Sequence, residues 1–259
     1  MKVVLFCGGL GTRLRERSDT IPKPLVPIGD RPIIWHLMRY YAHYGHRDFI
    51  LCLGYRGDLI REYFLNYNEC MSNDFTLSEG GKHIELASSD IHDWRITFVD
   101  TGLHSNIGGR LARVRRYLEG ERMFLANYSD GLSDLPLDSF VASFERSNAV
   151  AGFVSVRPAQ SFHSVRSDDD GRVTAIEPIA NSGVWINGGY FCLKSEIFDY
   201  LDNGDELVER PFRRLMEEGR LWTHLHQGFW GAMDTFKDKI TFDRMESHGN
   251  CPWMRWKQP

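Results

Sequence analysis

Short, uniformly apolar runs separated by helical segments constrain this chain more than any other feature of its sequence. Lys2–Phe6 (KVVLF) and Asp48–Leu53 (DFILCL) lack the strict alternation of a half-solvated strand, and Arg95–Val99 (RITFV), Met123–Asn127 (MFLAN) and Ala149–Val156 read as further strands. Continuous apolar runs like the first two are buried on both faces, as in a parallel sheet covered by helices on each side. The segments between them supply the helices. Asp30 is expected to cap one, with Pro32 in its first turn and Gly45 at its end. Ile34, Leu37, Met38 and Tyr41 recur within it at helical spacing. Further helices are expected over Asp58–Tyr67, Arg110–Leu118 and Leu137–Arg146. The fold class is therefore α/β, built from βαβ units around a mostly parallel sheet. Ligands of such sheets bind at the carboxyl ends of the strands, which directs attention to the residues after Phe6, Leu53, Val99, Asn127 and Val156.

The texture changes from Ser167 onward. Asp168–Gly171 reads as a turn, Val173–Ile176 as a short strand and Gly183–Leu193 as a longer one, with a further strand at Leu221–His226. This is a small inserted or edge β region, so residues 1–259 are expected to form a single domain. Thirty-one basic against 35 acidic residues leave a net charge of −4, which argues against a nucleic-acid binder and against an anionic membrane surface. The five cysteines are odd in number and form no CxxC pair, so reduced thiols and a cytoplasmic location are expected. No apolar stretch reaches the roughly 18 residues of a membrane span, and MKVVLFCGG is too short an apolar run for a secretory signal.

Three segments carry the candidate chemistry. Gly8, Gly9 and Gly11 with Thr12 and Arg13 follow the first strand directly. Glycines let the backbone approach a phosphate and aim N–H groups at it, and Arg13 adds a fork of donors. The segment is neither GxGxxG nor GxxxxGK[ST], and a tight strand-to-helix turn is the plain alternative. Pro22-Lys23-Pro24 holds a lysine on a backbone that two prolines fix, suited to a point charge on a phosphoryl group. Tyr128-Ser129-Asp130-Gly131 follows a buried strand, where Asp130 is either a turn former or a Mg²⁺ ligand. Asp234, flanked by apolar residues, is the candidate second carboxylate, although the sequence does not bring the two together. Thr101 and Arg110 flank a glycine-containing loop that suits either a base pocket or a helix start. Asn187-Gly188-Gly189 within a strand suggests a bulge or a close approach to ligand. The ten histidines show no HExxH spacing and no Ser/His/Asp set stands out, so acyl transfer is disfavoured.

Together these motifs resemble the sugar-1-phosphate nucleotidyltransferase family, whose opening GG-x-GTRL and PKP match Gly8–Leu14 and Pro22–Pro24. The likeness spans nearly the whole chain and is nearest the cytidylyltransferase subgroup, through FILCLGYRGDLIREYF, GGRL, YSDG, WINGGYF, GFWGAMDT and a PW-x-x-W tail. The resemblance implies a Rossmann-like mixed sheet, with 1–156 mainly nucleotide-binding and 157–259 mainly acceptor-binding and capping. It implies Mg²⁺-dependent attack of an acceptor phosphate on the α-phosphorus of CTP, with glucose 1-phosphate as acceptor. By this likeness Gly8, Gly9, Gly11, Thr12, Arg13, Lys23, Thr101, Arg110 and Ser129 bind the nucleotide, with Arg13 and Lys23 catalytic and Arg110 at the cytosine. Asp130 and Asp234 would hold the metal, and Tyr128, His163, Glu177, Asn187 and Gly188 the acceptor.

Three departures from the family pattern lie on the acceptor side. The family's EKP is Glu177-Pro178-Ile179, its RFG is Ser161-Phe162-His163, and its YGDG is YSDG. The acceptor phosphate thereby loses an expected lysine. Either Arg157, His163 or Arg166 supplies the charge, or the acceptor is another sugar 1-phosphate, a non-sugar phosphate or a phosphonate. A non-catalytic nucleotide-binding module is the reading from another class, and the intact Arg13, Lys23, Asp130 and Asp234 count against it. The aromatic tail with Trp253 and Trp256 either packs on another subunit, making a homo-oligomer, or covers the chain's own core.

Overall fold

A computed structural model describes residues 1–9, 21–159, 162–202 and 204–257. Gly11, Thr12 and Arg13 lie outside the described residues. In chain order the first half runs β1 (Lys2–Phe6), β2 (Pro27–Ile28), β3 (Arg31–Pro32), α1 (Ile33–His43), β4 (Asp48–Leu53), α2 (Gly57–Leu65), β5 (Phe75–Ser78), β6 (His83–Leu86), β7 (Arg95–Asp100), α3 (Ile107–Val114) and β8 (Met123–Tyr128). The second half runs β9 (Gly131–Ser133), α4 (Leu137–Arg146), β10 (Ala151–Val156), β11 (His163–Ser167), β12 (Val173–Pro178), β13 (Ile186–Lys194), α5 (Arg210–Glu217), β14 (Leu221–His226), β15 (Trp230–Ala232) and α6 (Phe236–Ser247).

Seven strands form the central sheet in the order β14-β10-β13-β8-β1-β4-β7. Neighbours are parallel except β13, which runs antiparallel to both β8 and β10, so the sheet is mixed and mostly parallel as the sequence implies. From β1 the chain moves outward to β4 and β7, then crosses to β8 on the other side. The order reverses between β1 and β8, and a crevice opens outside their carboxyl ends at that point.

β1 shows why continuous apolar runs were required. Val3, Leu5 and Cys7 enter the core beneath α1 and the C-terminal segment, while Val4 and Phe6 enter the opposite core with Leu111, Val114 and Phe212. Side chains alternate across a strand, so a strand covered on both faces has no polar positions to offer. Each fully buried Val or Leu here contributes about 1.5–3 kcal/mol.

Some local expectations change. Helix α1 begins at Ile33 and its N-cap is Pro32 without a side-chain cap; Asp30 sits in the turn between β2 and β3. Gly45 does end it, with φ +83. Helix α3 starts at Ile107, ahead of the expected Arg110, because the side chain of Asn106 accepts from the Gly109 N–H at 2.8 Å and caps it. Two hairpins, β5–β6 and β11–β12, project from the body as separate two-stranded ribbons. Trp253 is fully buried against His36, Phe229 and Phe242, so the tail covers the chain's own core. No helix among the described residues is long and apolar enough to cross a membrane.

Candidate active site

The crevice outside β1 and β8 is lined by Gly8, Gly9, Lys23, Arg110, Tyr128, Ser129 and Asp130, and has a volume of about 260 Å³. Gly8 and Gly9 leave β1 at its carboxyl end. Arg110, buried at 3% exposure, lies beneath them. Its guanidinium donates to the carbonyls of Gly8 (3.0 Å), Leu53 (3.2 Å) and Leu103 (3.3 Å) and to Thr101 Oγ1 (2.8 Å). A Cβ added to Gly8 would fall 2.0 Å from Arg110 Nη1, so the guanidinium itself demands a glycine there. Thr101 is fully buried and donates its hydroxyl to the Leu53 carbonyl at 2.7 Å. Most donors of Arg110 are thus spent on carbonyls of the strand ends. It fixes the glycine segment from below, and Thr101 supports Arg110.

Ser129 Oγ donates to the Phe6 carbonyl at 2.9 Å, tying the end of β8 to the end of β1. Burial pushes the Cys7 thiol up to about 12, so it stays protonated and is no nucleophile. The N-terminus of α3 faces the same crevice through Ser105, Asn106 and Ile107, and Glu206 borders it. Two of its first N–H groups are already spent, Ile107 N–H on Glu206 at 3.3 Å and Gly109 N–H on Asn106, so what the helix turns toward the crevice is the positive end of its dipole. Sequence reasoning missed this contribution by starting the helix at Arg110. The signal was Asn106, a preferred N-cap residue; Glu206 carried none.

Asp130 and Asp234, more than a hundred residues apart in sequence, meet here. The cause is the small ribbon in which β9 pairs with β15, Gly131 opposite Ala232 and Leu132 opposite Gly231. The Met233 N–H donates to the Asp130 carbonyl at 2.9 Å, which closes the ribbon. Asp234 is then held in place just before α6, its N–H donating to Asp238 at 3.1 Å, while Thr235 and Asp238 form a capping box.

Between the two carboxylates sits Lys23. Its Nζ donates to Asp130 Oδ2 and, at 2.6 Å, to Asp234 Oδ1. The side chains of Lys23, Asp130 and Asp234 are 16%, 24% and 34% exposed, so the cluster is half-sheltered at the crevice wall. Burial works against the ammonium, but the charges and hydrogen bonds of Asp130 and Asp234 outweigh it and raise its pKa above the ordinary lysine value. Lys23 is thus held by two carboxylates at the crevice wall. The Pro22-Lys23-Pro24 turn explains its rigidity: the Leu25 and Val26 N–H groups donate to the Pro22 and Lys23 carbonyls.

No group of three or more metal-ligating side chains exists among the described residues. Two adjacent carboxylates with a cation already between them nevertheless fit Mg²⁺, which takes one or two carboxylates and completes its shell with water and phosphate oxygens.

The expected acceptor residues are dispersed. Gly188 lies beside Gly131, and its carbonyl accepts from Trp230 Nε1 at 2.8 Å. Gly189, at φ +77, packs so closely that a Cβ would lie 2.5 Å from the Tyr128 ring. Asn187 Oδ1 accepts from the Gly189 N–H at 2.8 Å and holds the register shift in β13. The β11–β12 register sets His163 opposite Pro178 and Glu177 opposite Ser164, so His163 and Glu177 project from opposite faces of the ribbon. His163 is exposed, and Glu177 is paired with Arg166 at 2.7 Å. Arg157 stacks on Trp185, 4.1 Å from the ring centroid. On the far side of Asp234 a second cleft, about 310 Å³, is walled by Phe162, Trp230, Phe242 and Lys237. The carboxylate–lysine cluster thus stands between two clefts, Asp130 in the wall of one and Asp234 in the wall of the other.

Comparison with known proteins bears on this geometry. Residues 2–235 match the family model described as Nucleotidyl transferase, a span that ends just after Asp234. The chain is 38% identical over 259 residues to the glucose-1-phosphate cytidylyltransferase of Salmonella typhi, covering 99% of this chain and 100% of that one. It is 36% identical over 258 residues to the probable glucose-1-phosphate cytidylyltransferase of Bacillus subtilis (strain 168), with the same coverage. Its fold superposes on HddC from Yersinia pseudotuberculosis, crystallised with GMP-PN, at a TM-score of 0.68 and 22% identity over 95% of this chain and 99% of that one. The sheet with its switch point at β1 and β8, and a sequence match through both carboxylates, assign this chain to the nucleotidyl transferase family.

Proposed function

We propose that this protein transfers a cytidylyl group from CTP to a sugar 1-phosphate, glucose 1-phosphate being the acceptor, with release of pyrophosphate. The observation that carries the reading is the Asp130–Lys23–Asp234 cluster standing between two clefts. The choice of cytidine and glucose rests on the full-length likeness to the two cytidylyltransferases.

In the reaction an oxygen of the acceptor phosphate attacks the α-phosphorus of CTP, a new P–O–P bond forms, and the bond to the β-phosphate oxygen breaks. The electron pair leaves with pyrophosphate. The acceptor phosphate is already a nucleophile, so no general base is needed. Two polyanions must instead be brought together and the charge on the bridging oxygens stabilised. Gly8 and Gly9, held from below by Arg110, receive the triphosphate by backbone N–H groups, and the positive dipole end of α3 faces it. Arg13 completes this set as a fork donor. Lys23 supplies a point charge at the junction of the clefts, where α-phosphate and acceptor phosphate meet. Asn187 and Gly188, at the edge of β13, orient the acceptor beside Tyr128. Asp130 and Asp234 would hold Mg²⁺, which neutralises phosphate charge when bound.

Pyrophosphate release across CTP, UTP, dTTP, ATP and GTP, each with a panel of sugar 1-phosphates, tests the reading. CTP with glucose 1-phosphate should give the highest kcat/KM. Turnover with CTP but only on a different phosphate or phosphonate would move the acceptor and keep the chemistry. Binding of CTP without turnover on any acceptor would replace the enzyme by a binding module.

A further inference from the structure

The contacts of Lys23 reach beyond its part in phosphate stabilisation. Its ammonium bonds one oxygen of each carboxylate, so it stands where a divalent cation shared by Asp130 and Asp234 would stand. Two carboxylates carry −2 and the ammonium +1, which leaves an incoming metal a net charge of only −1 and a like charge beside it. The turn that carries Lys23 is fixed by Pro22, Pro24 and two backbone hydrogen bonds, so the residue can leave only by rotating its side chain. Lys23 also lines the crevice with Gly8 and Gly9, so the place to which the ammonium would rotate is the place expected to receive a triphosphate.

We propose that Lys23 is the resident counter-ion of the Asp130–Asp234 pair, displaced toward the phosphates when nucleotide enters, so that metal and triphosphate load together rather than in sequence. This rests on the reading of the two carboxylates as metal ligands. The triphosphate draws the ammonium off, and the freed Asp130 and Asp234 carboxylates would then hold the metal, whose charge would favour the phosphates. Because coupling between two ligands is reciprocal, each strengthens the other by the same factor. The protein without nucleotide is then a poor metal binder despite its paired carboxylates, and the ammonium keeps the pair from repelling itself apart.

The test is a Mn²⁺ titration without nucleotide, with free Mn²⁺ followed by electron paramagnetic resonance, on the wild-type chain and on Lys23→Met and Lys23→Gln. Thermal unfolding on the same samples checks that both variants fold. Removing the ammonium should tighten Mn²⁺ binding by about tenfold or more, the scale of ordinary coupling between sites. Adding Asp234→Asn or Asp130→Asn to Lys23→Met should abolish the gain. Mn²⁺ affinities of both Lys23 variants within about twofold of wild type, with the carboxylate dependence intact, would overturn the counter-ion role alone. Tight binding that survives loss of both carboxylates would overturn the metal reading and the proposal with it.

Discussion

Gly8 and Lys23 show what individual residues contribute to this site. At Gly8 the limiting neighbour within the protein is the Arg110 guanidinium, whose Nη1 would lie 2.0 Å from any added Cβ. Gly8→Ala should therefore cost about 1–3 kcal/mol of stability, the range for overpacking a closed site. The loss should shrink in the double variant with Arg110→Met, because the two positions share one space. Denaturant titration of the four-protein cycle reads this directly; additive losses would disconnect them. Lys23→Met should lower kcat by about 10²–10³-fold, the cost of removing one electrostatic donor from a reacting centre, while thermal unfolding still shows a folded protein. Lys23 and the glycines stood out in the sequence because proline restricts the backbone and glycine frees it wherever they stand. The burial of Thr101 and Arg110 did not, since a threonine and an arginine after a strand read equally as pocket wall or as support. His163 and Glu177 were each expected at the acceptor, and the β11–β12 register that sets them on opposite faces of the ribbon could not be read from the sequence.

Elements decide where the carboxylates end up. The β9–β15 ribbon joins Asp130 to Asp234, and the capping box of α6 holds Asp234 from its other side. Thr235→Ala should cost about 0.5–2 kcal/mol, the usual worth of an N-cap, and should also raise the concentration of divalent cation needed for half-maximal activity. A stability loss with unchanged metal dependence would separate the cap from the site. The inner strands β1 and β4 were legible because burial on both faces leaves almost no polar position in them. The two-residue and three-residue strands were not, since pairing over so short a span leaves no periodic signal. Helix α6 escaped for a similar reason: Phe242 is the one side chain it buries fully, although its Thr235–Asp238 capping box is written in the sequence. The projecting β5–β6 ribbon went unread although Phe75, Leu77, Ile84 and Leu86 alternate with polar residues. Four-residue strands give that period too few repeats to stand out, and the ribbon buries almost nothing.

At the scale of the whole molecule, the C-terminal segment closes the core over α1. Trp253 is fully buried and its indole N–H donates to His36 Nδ1 at 3.4 Å, while His36 Nε2 meets the Ile28 carbonyl at 3.0 Å. That arrangement fits the neutral Nε2–H tautomer, and burial lowers the His36 pKa to about 4. A histidine with an ordinary value near 6.5 takes up a proton in the unfolded chain before it does in the native one. Stability should therefore be unaffected above about pH 6.5 and fall as pH drops toward 4, by up to about 3 kcal/mol from this group. His36→Gln should flatten that part of the profile in urea unfolding between pH 7 and 4.5; an unchanged slope would place the acid sensitivity elsewhere. The same closed core carries β1 and β8 to the crevice, and with them the residues on which the proposed reaction depends. The most direct measurement of that reaction is ³¹P nuclear magnetic resonance of CTP, glucose 1-phosphate and Mg²⁺ with the purified chain. A sugar nucleoside diphosphate and pyrophosphate should accumulate in equal amounts, and Asp130→Asn should produce neither. Unchanged CTP and glucose 1-phosphate signals with the folded wild-type protein would contradict the assignment.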